Sequence, residues 1–445
     1  MARRIRKKKM PEPFVGQIER LSHEGRGICV ENERTVFVSG ALPGETVEVT
    51  VHNRWKGHAE GRATRIDLAS DERVTPACEH FGMCGGCALQ HWDLDKQVDH
   101  KANTLQELLT HHGGGVAQHT LTPLQANDQG YRRKARLGVR WVQAKGRVLV
   151  GFREQASNFL AVLDSCKILD PRVGERLTEI GEAIAATSIR DRIAQIEVAC
   201  GDQAVALVFR VLDPPTQSDQ ARLVESGQRF GFHIWLQPKG PDTSHRIWPL
   251  QGPAWLSYEM PEYGLRMRFH PHDFTQVNAQ INQKMMSQAL GLLALKPEDR
   301  VLDLFSGLGN FTLPIGRVAA HVVGVEGSEA MTERGRMNAA LHGMSQCEFH
   351  AADLTQPIAD KPWAQGGFNK LLLDPARSGA SEVLEALDLS GIERIVYVSC
   401  NPATLARDVG ILRARGWELT DAGIMDMFPH TAHVESMAAF VPVKK

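Results

Sequence analysis

The chain lacks a surplus of charge of either sign. Its 51 lysines and arginines balance 52 aspartates and glutamates over 445 residues, a formal net charge of −1. A nucleic-acid partner therefore cannot be argued from the total and has to rest on how the charge is distributed. Long apolar runs are also missing. Nowhere do eighteen apolar residues follow one another, and the basic N-terminus leads into Pro11-Glu12-Pro13 rather than an apolar segment, so neither a membrane span nor a signal peptide is expected. Eight cysteines in so long a chain are too few for a disulfide framework. The expectation is a soluble, cytoplasmic protein whose thiols are reduced and serve metal binding or catalysis.

What is present is unevenly placed. Arg3, Arg4, Arg6, Lys7, Lys8 and Lys9 form a basic tail over residues 1–9, and Arg132, Arg133, Lys134, Arg136 and Arg140 cluster beside Tyr131. Both sets suit phosphate contacts. Short alternating stretches with turn residues between them run from Val15 to about Leu68 and predict a small OB-like β-barrel over residues 10–68. This stretch resembles a TRAM domain, an RNA-binding barrel appended to RNA-modifying enzymes. A central α+β domain is expected over 75–265, with a helix near 94–111 that packs on the catalytic domain. The last part, 266–445, repeats strand, Gly loop, helix and strand, the rhythm of a parallel α/β sheet.

In the run VLDLFSGLGNFTLPIG, Val301–Phe305 reads as a buried strand, Gly307 and Gly309 as a tight turn, and a helix is expected to begin near Asn310. Thr312 stands where a dinucleotide fingerprint needs its third glycine, and Asp303 puts an acid on the strand itself. Together they favour S-adenosylmethionine over NAD. The next strand ends in Glu326, suited to the ribose hydroxyls, and the one after is read as ending in Asp353, suited to the adenine amino group. Any one acid could be an ordinary loop residue; three in register along one sheet edge point to a cofactor site.

Two further strands end in polar clusters, Asp374-Pro375-Ala376-Arg377 and Ser399-Cys400-Asn401-Pro402. Asn401 suits a helix N-cap and Pro402 the first helical position, which sets Cys400 beside a helix N-terminus, where dipoles favour the thiolate a nucleophile requires. Near the C-terminus stand His430, His433 and Glu435. A thiolate that adds to an unsaturated ring can leave again only once a base has taken a ring proton, so a base is sought beside it. Glu435 is the expected base, ahead of the two histidines.

These motifs, in this order, resemble the RNA uracil-5-methyltransferase family over nearly the whole chain: FTQVNAQ, DLFSGLGNFTLP, VEGSEA, LLLDPAR, SCNPATLARD and FPHTAHVE. The resemblance implies a Rossmann-like methyltransferase domain with an N-terminal TRAM barrel. It implies that Gln276, Phe305, Asn310, Glu326, Asp353 and Asp374 line the pocket, that Cys400 is the nucleophile and that Glu435 is the base. Read by spacing alone, Cys78-x5-Cys84-x2-Cys87 with a distant Cys166 leaves zinc and iron-sulfur both open. The resemblance assigns these four cysteines to a 4Fe-4S cluster in the central domain. Barrel and cysteine cluster together imply 23S ribosomal RNA as the partner, with the protein acting as a monomer away from membranes. A non-catalytic RNA-binding or assembly factor is the competing expectation, and the presence of both nucleophile and base argues against it.

Overall fold

The computed structural model describes residues 11–358 and 360–443, so the basic tail of residues 1–9 lies outside the described residues. The chain divides into two compact units. The first comprises residues up to 100 with two insertions, 153–158 and 428–433; the second holds the remainder.

In the first unit, strands β1 (Phe14–Gln17), β2 (Arg20–Leu21), β3 (Gly27–Glu31), β4 (Arg34–Ser39), β5 (Thr46–Arg54) and β6 (His58–Leu68) form one sheet in the order β1-β5-β6-β4-β3-β2. β1 pairs with β5, and β2, just beyond it, pairs with β3, which closes the sheet on itself. Alternation sets the core. Val47, Val49 and Val51 of β5 point inward with Ile18, Cys29, Val36, Val38 and Ala59, while Glu48 and Thr50 face outward. Each such valine contributes about 1.5–3 kcal/mol relative to an exposed one.

A buried carboxylate ties this barrel to the segment after β6. Glu45, fully buried, accepts two hydrogen bonds from Arg73 at 2.5 and 2.7 Å and further ones from the Leu42 and Ser70 N–H groups. Burial alone would raise its pKa, but these donors hold it below the ordinary value. Leu21 and Leu42 also pack with Leu89 and Trp92.

The second unit contains two main sheets. The smaller joins β8 (Lys134–Val142), β9 (Arg147–Gly151), β10 (Ile193–Cys200), β11 (Val205–Val211), β12 (Phe232–Gln237) and β13 (His245–Trp248) in the order β13-β12-β11-β10-β8-β9. A hairpin of β14 (Leu256–Met260) and β15 (Leu265–Phe269) comes next in the chain. The larger sheet contains β7 (His119–Thr120), β16 (Arg300–Leu304), β17 (His321–Glu326), β18 (Cys347–Ala351), β19 (Lys370–Leu373), β20 (Arg394–Ser399), β21 (Trp417–Met425) and β22 (Glu435–Pro442). Its order is β18-β17-β16-β19-β20-β22-β21-β7. The first five are mutually parallel, and β22 runs antiparallel between β20 and β21. Buried on both faces, the central parallel strands are almost wholly apolar, as in KLLL of β19.

The helices are α1 (Leu94–His112), α2 (Pro171–Gly174), α3 (Leu177–Ala185), α4 (Gln217–Phe230), α5 (Ala279–Leu293), α6 (Thr312–Gly316), α7 (Glu329–Leu341), α8 (Ser381–Ala386) and α9 (Pro402–Ala414). Among the described residues no helix is long and apolar enough to cross a membrane.

Candidate active site

Parallel strands order their loops at the carboxyl end of the sheet, where α/β proteins bind ligands. β16 delivers Phe305, held at φ +64°, then Gly307 at +56° and Gly309 at +93°. Positive φ in a phenylalanine is costly and is found where a site over-determines the backbone. A Cβ on Gly309 would also meet Phe349 at 3.0 Å. The expected helix at Asn310 begins two residues later, at Thr312, because Ser306 to Asn310 is spent on the turn closed by Gly309 N–H to Ser306 O at 3.0 Å.

Glu326, at the end of β17, accepts from the Gly307 N–H at 3.1 Å and from the Ser328 N–H at 2.9 Å. Its carboxylate thus joins the glycine turn to the N-cap of α7. Asp353 is not at a strand end. β18 stops at Ala351, and Asp353 lies exposed in the turn beyond it, accepting from the Thr355 N–H and hydroxyl at 3.0 and 2.7 Å. The Thr355 contacts hold its pKa below the ordinary value.

Asn310 is fixed by two residues that sequence reasoning missed. Tyr258 donates to its Oδ1 at 2.8 Å, and its own Nδ2 donates to Asn282 Oδ1 at 2.9 Å. Tyr258 and Asn282 in turn line a small cavity with Gln276 and Arg133, which brings Gln276 next to the residues that hold Asn310. The one available signal was the FTQVNAQ motif itself: Asn278 caps α5, and Asn282 sits one turn on.

Cys400 comes directly after β20. Asn401 caps α9 by accepting from the Ala403 N–H at 3.2 Å, with Pro402 as the first helical residue. Asn401 also donates to the Arg377 carbonyl at 3.0 Å, so the loop after β19 is tied to the start of α9. Strand register carries Cys400 to Glu435. Ser399 pairs with Ser436 across antiparallel β20 and β22, which sets Cys400 opposite Glu435, the first residue of β22. On the other side of β22, Glu435 pairs with Met425.

The titration of this group differs from the sequence expectation. Burial pushes the Cys400 thiol up to about 11, with Glu435 and Asp374 adding to the rise and Arg377 opposing it. The resting sulfur is a thiol, because burial and two nearby carboxyls outweigh the helix N-terminus. Burial also pushes Asp374 up to about 7 and, aided by Asp374, Glu435 up to about 8, against the pull of Arg377 and Lys101. A carboxyl poised near neutrality can both take and return a proton. Asp303, fully buried on β16, is likewise raised to about 7, chiefly by burial.

Cys78, Cys84 and Cys87 lie in a loop of the first unit, half-buried and outside any disulfide; Cys166 belongs to the second unit. The Cys84 N–H donates to the His80 carbonyl at 2.9 Å, and the Gly86 N–H points at Cys84 Sγ at 3.4 Å. The second of these is the kind of backbone contact that thiolate ligands of a cluster accept. Among the described residues no three His, Cys, Asp or Glu side chains are grouped so as to hold a metal ion.

The tRNA (Uracil-5-)-methyltransferase family model matches residues 93–441, and the TRAM domain model matches residues 17–64. The 23S rRNA (uracil(1939)-C(5))-methyltransferase RlmD of Alkalilimnicola ehrlichii is 54% identical over 437 residues, covering 98% of each chain. The RlmD of Hahella chejuensis is 51% identical over 98% of this chain and 99% of its own. In structure the chain is similar to the Pyrococcus abyssi tRNA (uracil-54, C5)-methyltransferase in complex with S-adenosyl-L-homocysteine. The TM-score is 0.73 at 23% identity, over 96% of this chain and 99% of the other, a likeness of fold.

Proposed function

The chain belongs to the tRNA (uracil-5-)-methyltransferase family, and on that footing we propose that it methylates carbon 5 of a uridine in 23S ribosomal RNA, with S-adenosylmethionine as donor. The observation that carries the reading is the register of β20 and β22, which sets Cys400 opposite Glu435 at the ligand-binding edge. The high identity to relatives named for 23S rRNA supports the choice of RNA.

The target base has to leave its stack to be reached from both faces. Cys400 gives its thiol proton up to solvent, Sγ bonds to carbon 6, and the electron pair of the 5,6 double bond moves to the carbon 4 oxygen as an enolate. Carbon 5 then takes the methyl group from the sulfonium, leaving S-adenosylhomocysteine. Glu435 accepts the carbon 5 proton, the double bond re-forms, and the Sγ–C6 bond breaks. Arg377, the cation that opposes the rise of both Cys400 and Glu435, favours their ionised forms. Glu326 would take the ribose hydroxyls, Asp353 the adenine edge, and Gln276, Phe305, Asn310 and Asp374 the remainder of the donor and the base.

Cys78, Cys84, Cys87 and Cys166 would hold a 4Fe-4S cluster, whose contribution would be structural rather than electron transfer. The family resemblance supports iron-sulfur over zinc, and the absence of disulfides at these cysteines and the N–H donor to Cys84 support thiolate ligands.

The test separates the two roles. Incubated with unmodified 23S RNA and labelled donor, Cys400→Ala should form neither product nor covalent complex. Glu435→Gln should add and methylate, then stall, so that a methylated adduct persists on a denaturing gel. Wild-type turnover by Glu435→Gln, or an adduct with Cys400→Ala, overturns the mechanism.

A further inference from the structure

We infer that Lys101 and Asp426, a buried ion pair next to the base, are positioning residues that govern when Glu435 can take up its proton. The inference rests on the reading of Glu435 as that base. Lys101 on α1 donates to Asp426 Oδ1 at 2.6 Å, with side chains 0% and 3% exposed. Asp426 directly follows Met425, the cross-strand partner of Glu435. Its backbone is pinned as well: the Asp426 N–H donates to the Leu124 carbonyl at 2.8 Å.

Stability gives little reason for such a pair. Taking an ammonium and a carboxylate out of water costs several kcal/mol per ion, and their attraction at best roughly offsets that, so an apolar pair of similar volume would serve the core as well. Position gives a better reason. Burial draws the Lys101 ammonium down, while Asp426 first and Glu435 after it hold it charged. Lys101 therefore acts on both carboxyls at once.

The groups facing Glu435 are few. Asp374 and Arg377 come from the loop after β19, Cys400 from the end of β20, Lys101 from α1, and Asp426 from the end of β21. Burial and Asp374 favour the protonated acid, whereas Arg377 and Lys101 favour the carboxylate. Arg377 is exposed, whereas Lys101 is sealed in, so its charge is the one that substrate cannot rearrange. When Glu435 receives the carbon 5 proton its charge is lost, and Asp426 keeps the ammonium in place until the proton leaves.

The experiment follows adduct decay in single turnover, using the full chain, labelled donor and 23S RNA, as a function of pH. Lys101→Met should move the acid limb of decay upward by about one pH unit, so that decay below the limb slows about tenfold. Lys101→Arg should stay near wild type. Asp426→Asn removes the carboxylate that holds Lys101 charged and should move the limb upward as well, by less than Lys101→Met. A limb moved by Lys101→Met and Asp426→Asn but kept by Lys101→Arg is not what loss of packing produces. In a Glu435→Gln background, Lys101→Met should change adduct decay no further.

Unshifted profiles, or a downward shift from Lys101→Met or Asp426→Asn, overturn the inference; if Lys101→Met does not fold, Lys101→Arg against Asp426→Asn decides. A Glu435→Gln protein that turns over normally overturns the base assignment instead. Persistent adduct with Glu435→Gln beside an unshifted Lys101→Met profile overturns this inference alone.

Discussion

The Thr312 hydroxyl donates to Asp303 Oδ2 at 2.6 Å, while Asp303 Oδ1, equally buried, has no partner among the described residues. A half-satisfied buried carboxyl favours its protonated form, and burial raises Asp303 to about 7. An acid whose folded pKa exceeds its unfolded value of about 4 stabilises the fold below that value. The advantage is lost as pH rises through the folded pKa. The donor-free protein should therefore melt at a lower temperature at pH 8 than at pH 5. Asp303→Asn should make that fall smaller, raising the pH 8 midpoint by about 2–4 °C for each kcal/mol recovered. Thermal scans at the two pH values check it; an equal fall in both proteins would sink the argument.

Cys400 should be a slow nucleophile in the resting enzyme. With its thiol near 11, raised by burial and then by Glu435 and Asp374, iodoacetamide should label it only weakly at pH 8. Glu435→Gln removes a carboxyl that ionises near 8, so labelling at pH 9 should quicken several-fold. Peptide mass spectrometry isolates the Cys400 peptide from those of the other seven cysteines. Equal rates in the two proteins would show that Glu435 does not act on the thiol.

The tip of the β5–β6 hairpin should touch RNA. Trp55 is 44% exposed and stacks on His58 with ring centroids 4.7 Å apart, flanked by exposed Arg54 and Lys56. An exposed aromatic between cations suits base stacking, worth about 1–3 kcal/mol per base. Trp55→Ala should weaken RNA binding between about fivefold and a hundredfold, and Lys56→Ala should lower the salt slope by about one. Donor binding should not change. These point variants are preferable to deleting the barrel, which would uncover Leu89 and Trp92 and leave Arg73 without Glu45. RNA affinity unchanged in both variants would remove the hairpin from the interface.

Protein purified without oxygen should be brown and carry iron and sulfide. Cys84→Ser should bleach it and lower its unfolding temperature, while donor binding to the second unit persists. Stoichiometric zinc without iron in the wild-type preparation would refute the cluster.

Part of this site was legible because its chemistry is written locally. A glycine turn after an apolar strand, an acid at the end of β17, and Asn401-Pro402 after Cys400 each declare a strand-to-loop transition within a few residues. The end of β18, expected at Asp353, was misplaced because the apolar run does not mark where the strand stops; pairing with β17 ends at Ala351. The Cys400 titration was misjudged for a different reason. The helix N-terminus is local, but the opposing carboxyls Asp374 and Glu435 come from β19 and β22, brought close only by the sheet. Lys101 and Asp426 stand 325 residues apart, and neither belongs to a motif.

The placement of β22 between β20 and β21 bears on the order of folding. β21 comes first in the chain, yet it reaches the sheet only through β22, so it cannot dock on β20 ahead of it. The hairpin of β21 and β22 has to form and then insert as a unit, a non-local step that closes after the parallel strands β16 to β20 can already have paired. During synthesis the glycine turn, Glu326 and Cys400 all emerge before Glu435. On the roles proposed above, a partly folded chain would hold Cys400 before Glu435 is in place, and RNA met and methylated in that state would stay joined to it.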